Sequence, residues 1–167
     1  MNRKYVSIIL LGALLIIIIL NINGLFRSYG DSKEMTMHDP VVYIYAPVIK
    51  ASGYVSFSMG NYDGVPAVIF QAGTLYIPSG QVITGIGSSY NVTIGMSSAT
   101  LQNITVCAAN ITATVLGITV TITPQNVGVL SVISEIISEL LPLYDVKIYA
   151  YYVNASSITY SSIEINY

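Results

Sequence analysis

The rhythm of apolar and polar positions changes several times along this chain. Val6–Leu20 is nearly unbroken aliphatic sequence, and the apolar stretch runs Tyr5–Phe26 if Asn21 and Asn23 are included. A membrane helix needs about 20 apolar residues, and the apolar part of a signal peptide has about 7–15. Residues 1–28 are therefore expected to form a hydrophobic helix, either an uncleaved anchor or a removed signal. Arg3 and Lys4 favour an N-terminus left inside, and Arg27 weakens that asymmetry. Residues 29–40 hold Asp31, Lys33, Glu34 and Asp39 and read as a solvated, charged linker.

Beyond the linker the period drops to two. Val41–Ile49, Tyr54–Met59, Ala67–Phe70, Thr74–Ile77, Gln81–Ile86, Tyr90–Met96, Thr100–Cys107 and Ile111–Thr123 read as short strands. They are rich in Val, Ile, Tyr and Phe and are punctuated by Pro and Gly. In the last of them Ile118, Val120 and Ile122 alternate with Thr119, Thr121 and Thr123. Apolar residues then recur at helical spacing: Val129, Val132, Ile133, Ile136, Ile137, Leu140 and Leu141. Asn126 is placed to cap that helix, and Pro142 follows its end. Two more strands, Asp145–Val153 and Ser157–Asn166, close the chain. The expected fold is mainly β. A hydrophobic N-terminal helix precedes an extracellular β-sandwich over 41–167, with one amphipathic helix near 127–141.

Composition narrows the chemistry. Only 8% of residues are charged, against about 25% in an ordinary soluble domain. Gly64–Ser134 contains no Asp, Glu, Lys, Arg or His. Most catalytic designs need such side chains, so no catalytic residue, cofactor or metal is expected. A net charge of −2 offers no footprint for nucleic acid. The single His38 lies in the linker, without partners for catalysis or metal binding. A copper site of the two-His, one-Cys type is excluded by that single His. The single Cys107 cannot form an internal disulfide. It reads as a buried small hydrophobe, although strand alternation sets it on the side of Asn103 and Thr105. Gly80, Gly85 and Gly87 lack the following Lys of a phosphate loop and read as strand turns.

Four Asn-X-Ser/Thr sequons lie beyond the linker, at Asn91, Asn103, Asn110 and Asn154. They are the glycosylation candidates. The chain has 14 Tyr but 3 Phe and no Trp. Tyr packs like Phe yet keeps a polar tip in water. A surface of hydroxyls and amides is little affected by acid, whereas paired carboxylates must protonate. An acidic exterior is the expected habitat.

These features together resemble exported proteins of thermoacidophilic archaea: the basic start Arg3-Lys4, one Ile/Leu-rich segment, an Ile/Tyr/Ser/Thr-rich β-domain and several sequons. Among them the chain is similar to secreted thread or bundling-pilus subunits. It departs from type IV-like pilins, because Lys4-Tyr5 is not their processing site. The resemblance implies a non-catalytic structural subunit at the cell surface, assembled by β-strand addition. Its partners would be copies of itself or other envelope subunits, and the membrane through residues 5–26 if these are retained. Val41–Ile49 is then either a donated strand or the first strand of its own sandwich. A second expectation is a singly anchored accessory subunit of a quinone-linked membrane redox complex, with a metal-free cupredoxin-like exterior domain. N-terminal sequencing separates the two, since the accessory subunit keeps its anchor. A virion or envelope protein of an archaeal virus fits the same features.

Overall fold

Alternating apolar sequence builds three very long strands, each bent where Pro or Gly interrupts it. The computed structural model describes residues 42–84, 92–128 and 142–167, all within one compact unit. The strands are β1 (Val42–Tyr62), β2 (Val65–Thr84), β3 (Val92–Val115), β4 (Ile118–Ile122), β5 (Leu143–Asn154), β6 (Ser157–Thr159) and β7 (Ser162–Asn166). The architecture is mainly β and antiparallel throughout. The N-terminal helix, the linker with His38, Asn91 and predicted helix residues 129–141 lie outside the described residues.

Pairing closes on itself. β1 pairs with β2, β2 with β3, β3 with β5, and β5 with β1. Each long strand changes neighbours along its length. The first part of β3 lies between β2 and β6–β7, its middle between β2 and β5, and its end between β5 and β4. Val42–Ile49 lies between β2 and β5, as the first strand of its own domain.

The predicted short strands are therefore fused. Along β1 and β2 the paired positions step from Tyr45↔Gln81 to Lys50↔Tyr76. That interval holds Pro47 and Pro78, which have no N–H to donate. Farther along, the register shifts between Ser52 and Val55. Here Gly53 adopts φ 81°, and a Cβ on it would lie 3.6 Å from the Gly73 Cα. Two glycines thus let the two backbones bend together, as β-bulges do at the corners of curved sheets.

Two tight turns complete the long hairpins. Asp63-Gly64 (φ 49° and 85°) joins β1 to β2, and Leu116-Gly117 (φ 51° and 79°) joins β3 to β4. Paired positive φ values match the twist of two-residue hairpins. Asn61 Oδ1 accepts the Gly64 N–H at 2.8 Å. The second turn divides the predicted strand Ile111–Thr123 in two.

The core consists mainly of aliphatic side chains aimed inward from β1, β2, β3 and β5, joined by Val127 from the segment after β4. Leu75, Val68, Val106, Val127 and Val146 are its largest fully buried members. Each is worth roughly 1.5–3 kcal/mol of apolar transfer. Phe57 and Phe70 meet within it at a centroid distance of 5.0 Å. Asn126, read as the cap of a helix whose residues 129–141 lie outside the described residues, turns its side chain backward. Its Oδ1 accepts the Thr123 N–H at 2.7 Å, and its Nδ2 donates to the Thr121 carbonyl at 2.8 Å.

Candidate functional site

The residues available for function lie on the outer faces and edges of the strands. Among the described residues, no three His, Cys, Asp or Glu side chains gather at one place. The candidate site is a surface of hydroxyls, amides and phenols, positioned by β3 and β5.

Two sequons interlock on that surface. Thr105, the hydroxyl residue of the Asn103 sequon, pairs in register with Asn154. Asn103 Nδ2 donates to Ser156 Oγ at 3.1 Å, and Ser156 is the hydroxyl residue of the Asn154 sequon. Ser156 Oγ in turn donates to the Gln102 carbonyl at 3.0 Å. Asn103 and Asn154 are both exposed. Asn110 is half-buried and pairs with Tyr149.

The inward positions of β3 are Ile104, Val106 and Ala108, then Ile111, Ala113 and Val115. The switch from even to odd numbers occurs at a bulge between Ala108 and Asn110. In a strand that ran through these residues without a bulge, Asn110 would share the inward face of Ala108. A bulge on β5 has the matching effect. Tyr152 pairs with Cys107 and Ala150 with Ala108, leaving Tyr151 between them. Tyr151 is thereby buried in a small outer cluster with Val65 and Ala67. Tyr62 stacks on Tyr151 at 5.5 Å and on Tyr152 at 6.5 Å.

Cys107 belongs to this outer side. It is free and half-buried, between Ile69 and Tyr152 in the ladders. The expectation of a fully buried Cys is corrected here, because the bulge falls after Cys107 and leaves it with Asn103 and Thr105. Burial pushes its thiol above the ordinary value, which disfavours the thiolate needed for reactivity.

A shallow polar groove lies over β1, β3, β4 and β5, and Tyr43, Tyr45, Thr112, Thr114, Asp145 and Lys147 are among its walls. The Tyr45 hydroxyl donates to Asp145 Oδ1 at 3.5 Å. Tyr43 and Tyr149 lie 4.9 Å apart. Burial, then the neighbouring Tyr149 and Tyr45, push the Tyr43 phenol above its usual value. Thr112–Thr121 and Thr114–Thr119 hydroxyl pairs, at 2.9 and 3.0 Å, lock β3 to β4. The Thr alternation was visible in the sequence, but the pairing partners were not.

Free edges complete the surface. Among the described residues, Val55–Tyr62 pairs only with β2, β4 only with β3, and β6–β7 only with β3. Sequence reasoning missed them, because an edge is defined by what does not lie beside it. Comparison of this chain with family models, curated proteins and solved structures finds no match.

Proposed function

We propose that this protein is a non-catalytic structural subunit of the cell exterior, a glycosylated sandwich-like domain that assembles by β-strand addition. The observation that carries the reading is the edge Val55–Tyr62. It spans eight residues, VSFSMGNY, without charge or Pro. Soluble monomers usually guard such an edge with Lys, Pro, a bulge or a covering element, because open N–H and C=O groups template pairing. Strand addition satisfies those groups and extends the sheet. The β4 edge, ITVTI, is equally uncharged. A join between the two edges of successive copies is heterologous, and it propagates as a fibre when the rotation between copies does not close a ring. The sequons at Asn103 and Asn154 support an exterior location and lie on a different strand pair from either edge.

Electron microscopy and gel analysis of the purified full chain at rising concentration test the assembly. The expected result is ladders and fibres from the wild type, and monomer from S56K/S58K with an unchanged circular dichroism spectrum. A wild-type chain that stays monodisperse at every concentration overturns the reading. Mass spectrometry of native peptides containing Asn103 and Asn154 tests the location, with glycan mass on at least one of them expected.

A further inference from the structure

We infer that the interior of the closed β-circuit is a binding site for a hydrocarbon chain. This goes beyond assembly and does not depend on it. A cavity of about 320 Å³ lies among the inward faces of β1, β2, β3 and β5, with β6 and β7 at its rim. Its wall is apolar throughout. Leu75, Ile104, Val106 and Ile148 line the buried end, each less than a tenth exposed. Ile158, Tyr160 and Ile163 line the other end and are 54%, 51% and 41% exposed, so the cavity has a mouth.

The volume is out of proportion for a domain of this size. Protein interiors are packed like organic crystals, with few voids larger than a water molecule. A dry apolar cavity of about 150 Å³ already takes up benzene, and small-molecule sites begin at about 300 Å³. Water gains little here, because a bound water needs two or more polar partners and the wall supplies none.

Backbone pairing selects the class of occupant. Val42–Tyr45 is paired on both sides by β2 and β5, and Thr74–Tyr76 and Gln81–Thr84 by β1 and β3. The first part of β3 is paired by β2 and by β6–β7. An incoming peptide strand would meet a wall without polar surface and would bury its own N–H and C=O groups unsatisfied. A polar headgroup meets the same obstacle. An alkyl chain has nothing to satisfy, and it suits a wall of Ile, Val, Leu and Met. The ligand is therefore an amphiphile whose tail enters past Ile158 and Ile163 while its head stays at the mouth.

Photolabelling tests this on the full chain, held in an amphipathic polymer free of detergent. One arm uses a long-chain alcohol with a diazirine in its tail. The other carries the same tail on phosphatidylcholine in nanodiscs. Adducts are mapped by mass spectrometry on wild type, Ala46→Leu, Ile94→Trp and Met59→Ser. Ala46 is a fully buried wall residue, Ile94 a half-exposed one that tolerates size more easily, and Met59 lies outside the cavity. The expected result is labelling of peptides spanning Ile94–Leu101 and Ile148–Val153, reduced by an order of magnitude in both filled variants and unchanged in Met59→Ser. Labelling in the alcohol arm alone supports a soluble amphiphile, and labelling in both arms supports a membrane lipid. Adducts confined to Tyr5–Phe26, or cavity adducts that both filled variants leave intact, overturn the inference.

Discussion

The two ends of the β-circuit share one composition and differ in how they are filled. Around Phe57, Val68, Ala72 and Ala108 every side chain is less than a tenth exposed. Around Val42, Ile44, Val82, Ile94 and Met96 the side chains are half-exposed and face the cavity. Both ends use aliphatic residues on alternate positions of the same long strands. Aromatic volume and the bends at Pro47, Gly53, Gly73 and Pro78 distinguish them. At the packed end Phe57 meets Phe70, which closes the inner end of the cavity, across β1 and β2. At the other end the strands diverge around a space that β-branched side chains do not fill. Apolar alternation thus assigns residues to the inside without saying whether the inside is full.

Removing a side chain from each end probes that difference most strongly. Phe57→Ala is expected to cost about 3–5 kcal/mol, measured by chemical denaturation, as large-to-small changes in packed cores do. Ile94→Ala is expected to cost about 1 kcal/mol or less, since a half-exposed side chain loses little burial. Equal costs would erase the distinction between the ends. Gly53→Ala acts on the corner between them. At φ 81° a Cβ is expected to cost about 1–2 kcal/mol, read in the same denaturation experiment.

Smaller effects sharpen the contrast between interior and outer face. The Tyr43 phenol is raised in the folded state, so folding favours its protonated form. That contribution is complete below the unfolded value of about 10 and is lost as pH rises through the folded value. Thermal melts should therefore fall as pH rises above about 10, and less steeply in Tyr43→Phe. An identical slope in both proteins removes Tyr43 from the account. The smallest expected effect concerns Cys107. Its raised thiol should react with a soluble disulfide reagent more slowly than the same Cys in urea-unfolded chain. Equal rates would place it in open solvent.

Much of this architecture was legible beforehand. The inward positions Ile118, Val120 and Ile122, and the outward Thr residues beside them, follow from alternation alone. So does the inward aim of Ile94 and Met96. The Asp63-Gly64 hairpin carried a readable signal as well, because Asp-Gly suits paired positive φ values. Leu116-Gly117 carried a weaker one, since a branched apolar residue at φ 51° is paid no heed by turn preferences. Strand lengths are not legible in the same way, because Pro and Gly read locally as strand ends. Here they are corners, held in place by neighbours that continue past them. Cys107 shows the limit at the candidate site. Its face depends on whether the bulge precedes or follows it, a matter of one residue that local preference does not decide.

By itself the sequence determined that this chain is mainly β, that its middle lacks ordinary charge, and which residues alternate inward. Those properties follow from period and composition, which are local. Only the tertiary structure decided that β3 and β5 bring the Asn103 and Asn154 sequons into contact, that Val55–Tyr62 is an edge, and that the circuit encloses a cavity. Each depends on strand register and curvature, and these arise from pairing between residues far apart in the chain.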